Sequence, residues 1–178
     1  MVSASTYMIV FRMVHIAAGV AWAGSVFLFV VLIKPSAAAI GPAATPFMLE
    51  LLGRRKLVSW LLSLAGTTIV AGLFLYWRDA GGLGGLADFA STRYGTALTI
   101  GAVAAIVAFM IGLFGTRPNA GRLLELAGRA AASASEGVPP PEIAQEIQRV
   151  QARLKLLARV ALAFIAVAVL AMATSRYW

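Results

Sequence analysis

Residues 6–33 read TYMIVFRMVHIAAGVAWAGSVFLFVVLI, a run with one charge, Arg12, and the chain's single histidine, His15. A helix rising 1.5 Å per residue needs about 20 apolar residues to cross a hydrocarbon core of about 30 Å, and this run exceeds that. A soluble helix of such length carries a polar stripe, and none is visible here. Three more runs share the character, at residues 57–77, 94–115 and 156–174. The fold expected is all-α: a four-helix transmembrane bundle forming a single integral membrane domain. The first run lacks a basic leader and a cleavage site, so it reads as a retained helix and not a signal peptide.

Composition points the same way. Of 178 residues, 61% are hydrophobic and 12% charged, which places the chain in a lipid bilayer. The net charge of +8 resides in the connections and forms no basic face interleaved with aromatics, so nucleic acid is not an expected partner. The absence of cysteine excludes thiolate metal sites and cysteine nucleophiles. Lys34, Arg54, Arg55 and Lys56 lie in the first connection, and Arg117, Arg122, Arg129, Arg149, Arg153 and Lys155 in the third. The other side has only Arg78, Arg93 and Arg176. The positive-inside rule then puts the first and third connections in the cytoplasm and both termini outside, in a bacterial inner (cytoplasmic) membrane.

Pro35, Gly41, Pro42 and Pro46 predict that the first connection is no continuous helix, with a short interfacial turn at 47–52. The second, residues 78–93, holds four glycines and predicts a flexible loop. Its Gly82-Leu83-Gly84 has no strand before it and is not a dinucleotide fingerprint. The third predicts a cytoplasmic helical hairpin over about 119–155: a helix at 119–133, a break at 134–137, and a new start at Pro139, Pro140, Pro141 and Glu142. Ile143, Ile147, Val150, Leu154 and Leu157 then form a heptad seam running into the fourth span. That seam packs either on the 122–133 helix or on a second subunit.

No Asp or Glu lies inside a span, which disfavours proton-coupled transport. One histidine without cysteine cannot build a zinc protease, and no acid stands near His15 for a Ser-His-Asp triad. What remains is the first helix. Positions 8, 12, 15, 19 and 22 step by four and three and share a face. His15 falls roughly 13 Å below Thr6. Arg12, one turn nearer the surface, can snorkel outwards or pair with a haem propionate. Gly19 and Ala18 leave room for a flat ligand or a closely packed helix, and Trp22 follows one turn on. His15, Arg12, Gly19 and Trp22 are therefore the candidate cofactor-binding residues, for haem b or a metal ion. The alternative is an imidazole merely hydrogen-bonded to a neighbouring helix. With one histidine, bis-His haem requires two copies of the chain; otherwise the site is five-coordinate or takes a methionine, Met172, Met13 or Met8. His15, Met172 and Met13 are likewise the candidate metal ligands for copper, methionine being a soft Cu(I) ligand. As apolar side chains the methionines can also serve only as packing.

The run His15-Ile-Ala-Ala-Gly-Val-Ala-Trp22-Ala-Gly24 resembles the first helix of the CopD-like copper-resistance membrane proteins. It is also similar to the opening helix of the HemJ-type protoporphyrinogen oxidases and of membrane-bound urate oxidase amino-terminal regions. Leu75-Tyr-Trp-Arg-Asp-Ala-Gly81 and Met172-Ala-Thr-Ser-Arg-Tyr177 resemble segments of small bacterial membrane proteins related to that group. The resemblance implies a compact helical bundle and, from the HemJ-type proteins, b-type haem held by the first-helix histidine, which maps onto His15. The HemJ-type lysine has no counterpart in a span; Lys56 is the nearest. The expectation is a haem- or metal-associated membrane protein in electron transfer or haem handling, and not a stand-alone hydrolase. The alternatives are a non-catalytic accessory subunit of a larger respiratory or photosynthetic complex, and a copper-handling permease. The partners expected are the lipid bilayer and either a homodimer or a larger membrane complex.

Overall fold

The computed structural model describes residues 4–134 and 141–178, and among these the chain is helical apart from short turns, with no strand. Four helices are long and apolar enough to cross a membrane, which makes this a multi-pass membrane protein with an all-α four-helix bundle. The spanning helices lie within α1 (Ala4–Leu28), α4 (Leu57–Asp79), α6 (Arg93–Met110) and α8 (Pro141–Thr174). The shorter α2 (Lys34–Ile40), α3 (Thr45–Leu49), α5 (Leu86–Ser91) and α7 (Arg117–Ala134) complete the chain. The tightest pairs are α1 with α4 and α6 with α8, and contacts of α4 with α6 and α1 with α8 close the ring.

Small residues set the spacing at the centre of the bundle. Trp22 shares one buried cluster with Ala65 of α4, Ala104, Ala105 and Ala108 of α6, and Ile165 and Ala168 of α8. Lipid supplies no hydrophobic drive between helices, so close backbone approach and dispersion contacts must hold them together. Gly101 shows how close that approach is: a Cβ there would stand 2.8 Å from Met172 Cγ and 3.2 Å from the Ala168 carbonyl oxygen. A polar tie joins the two pairs. Thr99 Oγ1 donates to the Gly95 carbonyl, so Tyr76 is the donor in the 2.6 Å bond between its hydroxyl and Thr99 Oγ1.

The first connection departs from expectation. Helix α1 does not stop before Lys34 but runs through a π-turn (Phe29–Ile33) into α2, with Pro35 inside the helix. Helix α6 does the same through a second π-turn (Ile111–Thr116) into α7, where Pro118 lies. The cause is shared. Proline in a helix lacks an N–H and its ring collides with the carbonyl four residues back. The wider turn removes that collision: Lys34 N–H bonds Phe29 O and Arg117 N–H bonds Gly112 O, each five residues back. The break comes later, at Gly41, whose φ of +73° favours glycine. A 3₁₀ turn (Gly41–Ala44), α3 and a third π-turn (Glu50–Arg54) then lead to α4.

The glycine-rich connection likewise folds instead of forming an open loop. A 3₁₀ turn (Leu83–Gly85) leads into α5. Phe89 stands edge-on to both Tyr76 and Tyr94, with ring centroids 5.1 and 5.9 Å away. Thr92 caps α6, its Oγ1 accepting from Gly95 N at 3.0 Å.

The heptad seam docks within the chain. Ile143 and Val150 of α8 bury against Leu126 of α7, with Ile147 and Leu154 beside them. Arg122 clamps the pair, its Nη1 2.7 Å from Glu125 Oε1 and its Nη2 2.7 Å from Glu146 Oε1. Those bonds, Glu125's first, raise the guanidinium's pKa above its ordinary value. Of the expected break and restart, residues 135–140 lie outside the described residues; α8 begins at Pro141, with Glu142 in its first turn. From there α8 is unbroken to Thr174.

Candidate functional site at His15

Helices α1 and α4 run antiparallel in a stepwise register. Phe11 stacks on Phe74 with ring centroids 4.0 Å apart. One turn on, His15 lies over Gly72 and Gly19 faces Thr68; a further turn brings Trp22 to Ala65. The imidazole thus sits between a stacked aromatic pair and a tight glycine crossing.

Its Nδ1 is 2.8 Å from the Thr68 carbonyl oxygen. A carbonyl only accepts, so the ring's Nδ1–H donates, and Nε2 is the nitrogen left to accept or ligate when the ring is neutral. Gly72 makes this possible. A Cβ at 72 would lie 2.7 Å from Cε1 and 2.8 Å from Nδ1, so only glycine lets the ring rest on the helix backbone and reach the carbonyl one turn away. The Thr68 side chain takes no part; its Oγ1 donates to the Leu64 carbonyl at 2.9 Å. Nε2 has no partner among the described residues, yet no unpartnered polar side-chain atom among them is sealed from the surface. Nε2 therefore keeps some exposure beside the α1–α4 contact.

The other sequence candidates divide. Gly19 is at the crossing, but its open side is filled: a Cβ there would meet Thr68 Cγ2 at 3.4 Å. The closely packed helix, and not a flat ligand, occupies that space. Trp22 is 7% exposed and plugs the bundle's centre. Arg12 is exposed at the groove's edge, and Phe11 takes the position facing α4. Met13, 65% exposed, points away from α4, as a residue two positions from His15 must on a helix. Met172 packs at Gly101 between α6 and α8, a different interface from that of His15. Among the described residues no three His, Asp or Glu side chains converge. Two hollows, of about 430 and 320 Å³, lie on α8 at the hairpin and in the apolar groove of α6 and α8, and His15 lines neither.

Sequence reasoning missed Phe11, Gly72 and the backbone carbonyl of Thr68. Gly72 left a faint signal, as a glycine inside the bulky run Ile69-Val70-Ala71-Gly72-Leu73-Phe74. The Thr68 contact left none, because the acceptor is backbone. Compared with models of known families, with curated proteins and with solved structures, the chain matches none.

Proposed function

We propose that this protein would carry haem b in the membrane on Nε2 of His15 and act in electron transfer or haem handling. One observation carries the reading: the 2.8 Å bond from Nδ1–H to the Thr68 carbonyl. A ligating histidine characteristically donates its other ring N–H to a carbonyl or carboxylate, which sets the tautomer, orients the ring and raises the basicity of the free nitrogen. His15 holds that arrangement ready-made, with Nε2 unpartnered among the described residues and not sealed from the surface.

The residues fit the group only from outside the α1–α4 pair. Trp22 and Thr68 fill the interior, so nothing flat inserts between the helices. The exposed Arg12, one turn nearer the amino terminus, suits a propionate carboxylate. Met13 and Met172 lie on other faces than His15, so the group would rest on His15 alone or be shared with His15 of a second copy. The same fact takes support from the copper-permease reading. When bound, the group supplies a one-electron couple. The protein fixes the ring through its Nδ1–H and leaves Nε2 without a protein partner among the described residues, free to hold the group. Kinship with CopD-like and HemJ-type proteins, a bacterial inner membrane and outside termini accord with this reading through the first-helix run and the basic connections at the Lys34 end.

The test is an absorption spectrum of the purified protein, as isolated and after titration with haemin. A Soret band that saturates at one haem per chain or per two chains, and is lost in His15→Ala, is the expected result. A colourless protein that gives the same haemin spectrum with and without His15 overturns the proposal. Co-purification of that colourless protein with a large complex would point to the accessory subunit instead.

A further inference from the structure

Lys34 stands where the first π-turn (Phe29–Ile33) opens into α2, and that turn packs on α8. It is half-buried, and its charge lies within electrostatic reach of Lys155 and Arg159, both on α8. None of the three has an ion-pair partner among the described residues. The carboxylates of this end among the described residues are committed elsewhere: Glu50 pairs with Arg54 and Arg55, and Glu125 and Glu146 share Arg122. Glu142 is thirteen residues before Lys155, roughly 20 Å along the helix. Three like charges gathered at one helix junction, one of them half out of water, repel one another unless an anion lies among them.

The surroundings identify the kind of anion. On the membrane side of these cations the same two segments expose aliphatic residues: Val31 and Leu32 below Lys34, and Leu156 and Val160 beside Lys155 and Arg159. A cationic cluster directly above an aliphatic rail matches an anionic lipid, with phosphate at the headgroup level and acyl chains against the rail. A free phosphate ion would have no use for the rail.

We propose that Lys34, Lys155 and Arg159 form a binding site for the phosphate of an anionic phospholipid, seated where the π-turn after α1 meets α8. The site is independent of His15. Each cation near an anionic headgroup contributes about 1 kcal/mol, which is about fivefold in affinity. The full-length protein in a neutral detergent is titrated with phosphatidylglycerol, with phosphatidylcholine and with inorganic phosphate, and bound lipid is counted by native mass spectrometry. Phosphatidylglycerol is expected to be retained as one tight adduct per chain, phosphatidylcholine not, and a large excess of inorganic phosphate to displace little of it. Lys34→Gln is expected to weaken retention about fivefold, and the triple Gln variant at Lys34, Lys155 and Arg159 about a hundredfold. Arg149→Gln with Arg153→Gln, which removes charge elsewhere on α8, is expected to leave it unchanged. Equal retention of both lipids by the wild-type protein overturns the proposal even if the triple variant does not fold. Displacement by inorganic phosphate at matched concentration, or undiminished retention in Lys34→Gln, overturns it as well.

Discussion

Replacing Gly72 by alanine tests whether the His15 ring is held as described. The added methyl would stand 2.7 Å from Cε1 and 2.8 Å from Nδ1 of His15, where carbon and nitrogen atoms prefer at least about 3.4 Å. The ring must retreat by about 0.7 Å. That is enough to carry the present 2.8 Å Nδ1···O contact to the outer limit of a hydrogen bond, about 3.5 Å. Overpacking costs about 1–3 kcal/mol and the lost bond about 1 kcal/mol. Alanine's better helix propensity returns about 1 kcal/mol, so a net destabilisation of about 1–3 kcal/mol follows. Gly66 supplies the control. It lies in the same helix, and a methyl added there would meet nothing within 4 Å, so Gly66→Ala is expected to gain about 0.5–1 kcal/mol. Thermal unfolding of both variants in one detergent measures the difference. Gly72→Ala should melt below wild type and Gly66→Ala at or above it. A Gly72→Ala protein as stable as Gly66→Ala would refute the placement of the ring.

Two more outcomes follow from the contacts. Thr68→Val removes the hydroxyl that bonds Leu64 but leaves the carbonyl that holds His15, so haemin titration should retain the Soret band that Gly72→Ala weakens or loses. Leu126 is fully buried between α7 and α8; Leu126→Ala should cost about 2–5 kcal/mol, read as faster proteolysis within residues 117–155 while the spans stay protected.

The spans and the seam are legible in the sequence for direct reasons. Uninterrupted hydrophobicity is a composition signal, and the spacing of Ile143, Ile147, Val150 and Leu154 is a geometric one. Lys34-Pro35 reads as a stop because proline breaks an ordinary helix. The structure answers Pro35, and Pro118 after α6, with a π-turn, an adjustment of backbone hydrogen bonding that no side chain announces. The site is half legible. A lone imidazole in an apolar run singles out His15, but the four-and-three stepping selects a face containing Arg12, whereas Phe11 faces α4. A helix has no marker for which edge of a stripe meets its neighbour until the neighbour is placed. The acceptor of Nδ1 is out of reach altogether, because a carbonyl exposed by a glycine one turn away has no residue type of its own.

Because the chain has one histidine, nitrogen-15 labelling of histidine reports on His15 alone. The spectrum of the labelled protein in detergent, before and after haemin, therefore tests the central claim most directly. A protonated Nδ1 is expected without haemin, with Nε2 the bare nitrogen of the neutral ring, and a change at Nε2 when haemin is added. A proton on Nε2 with Nδ1 bare, or an Nε2 signal that haemin leaves untouched, would contradict it.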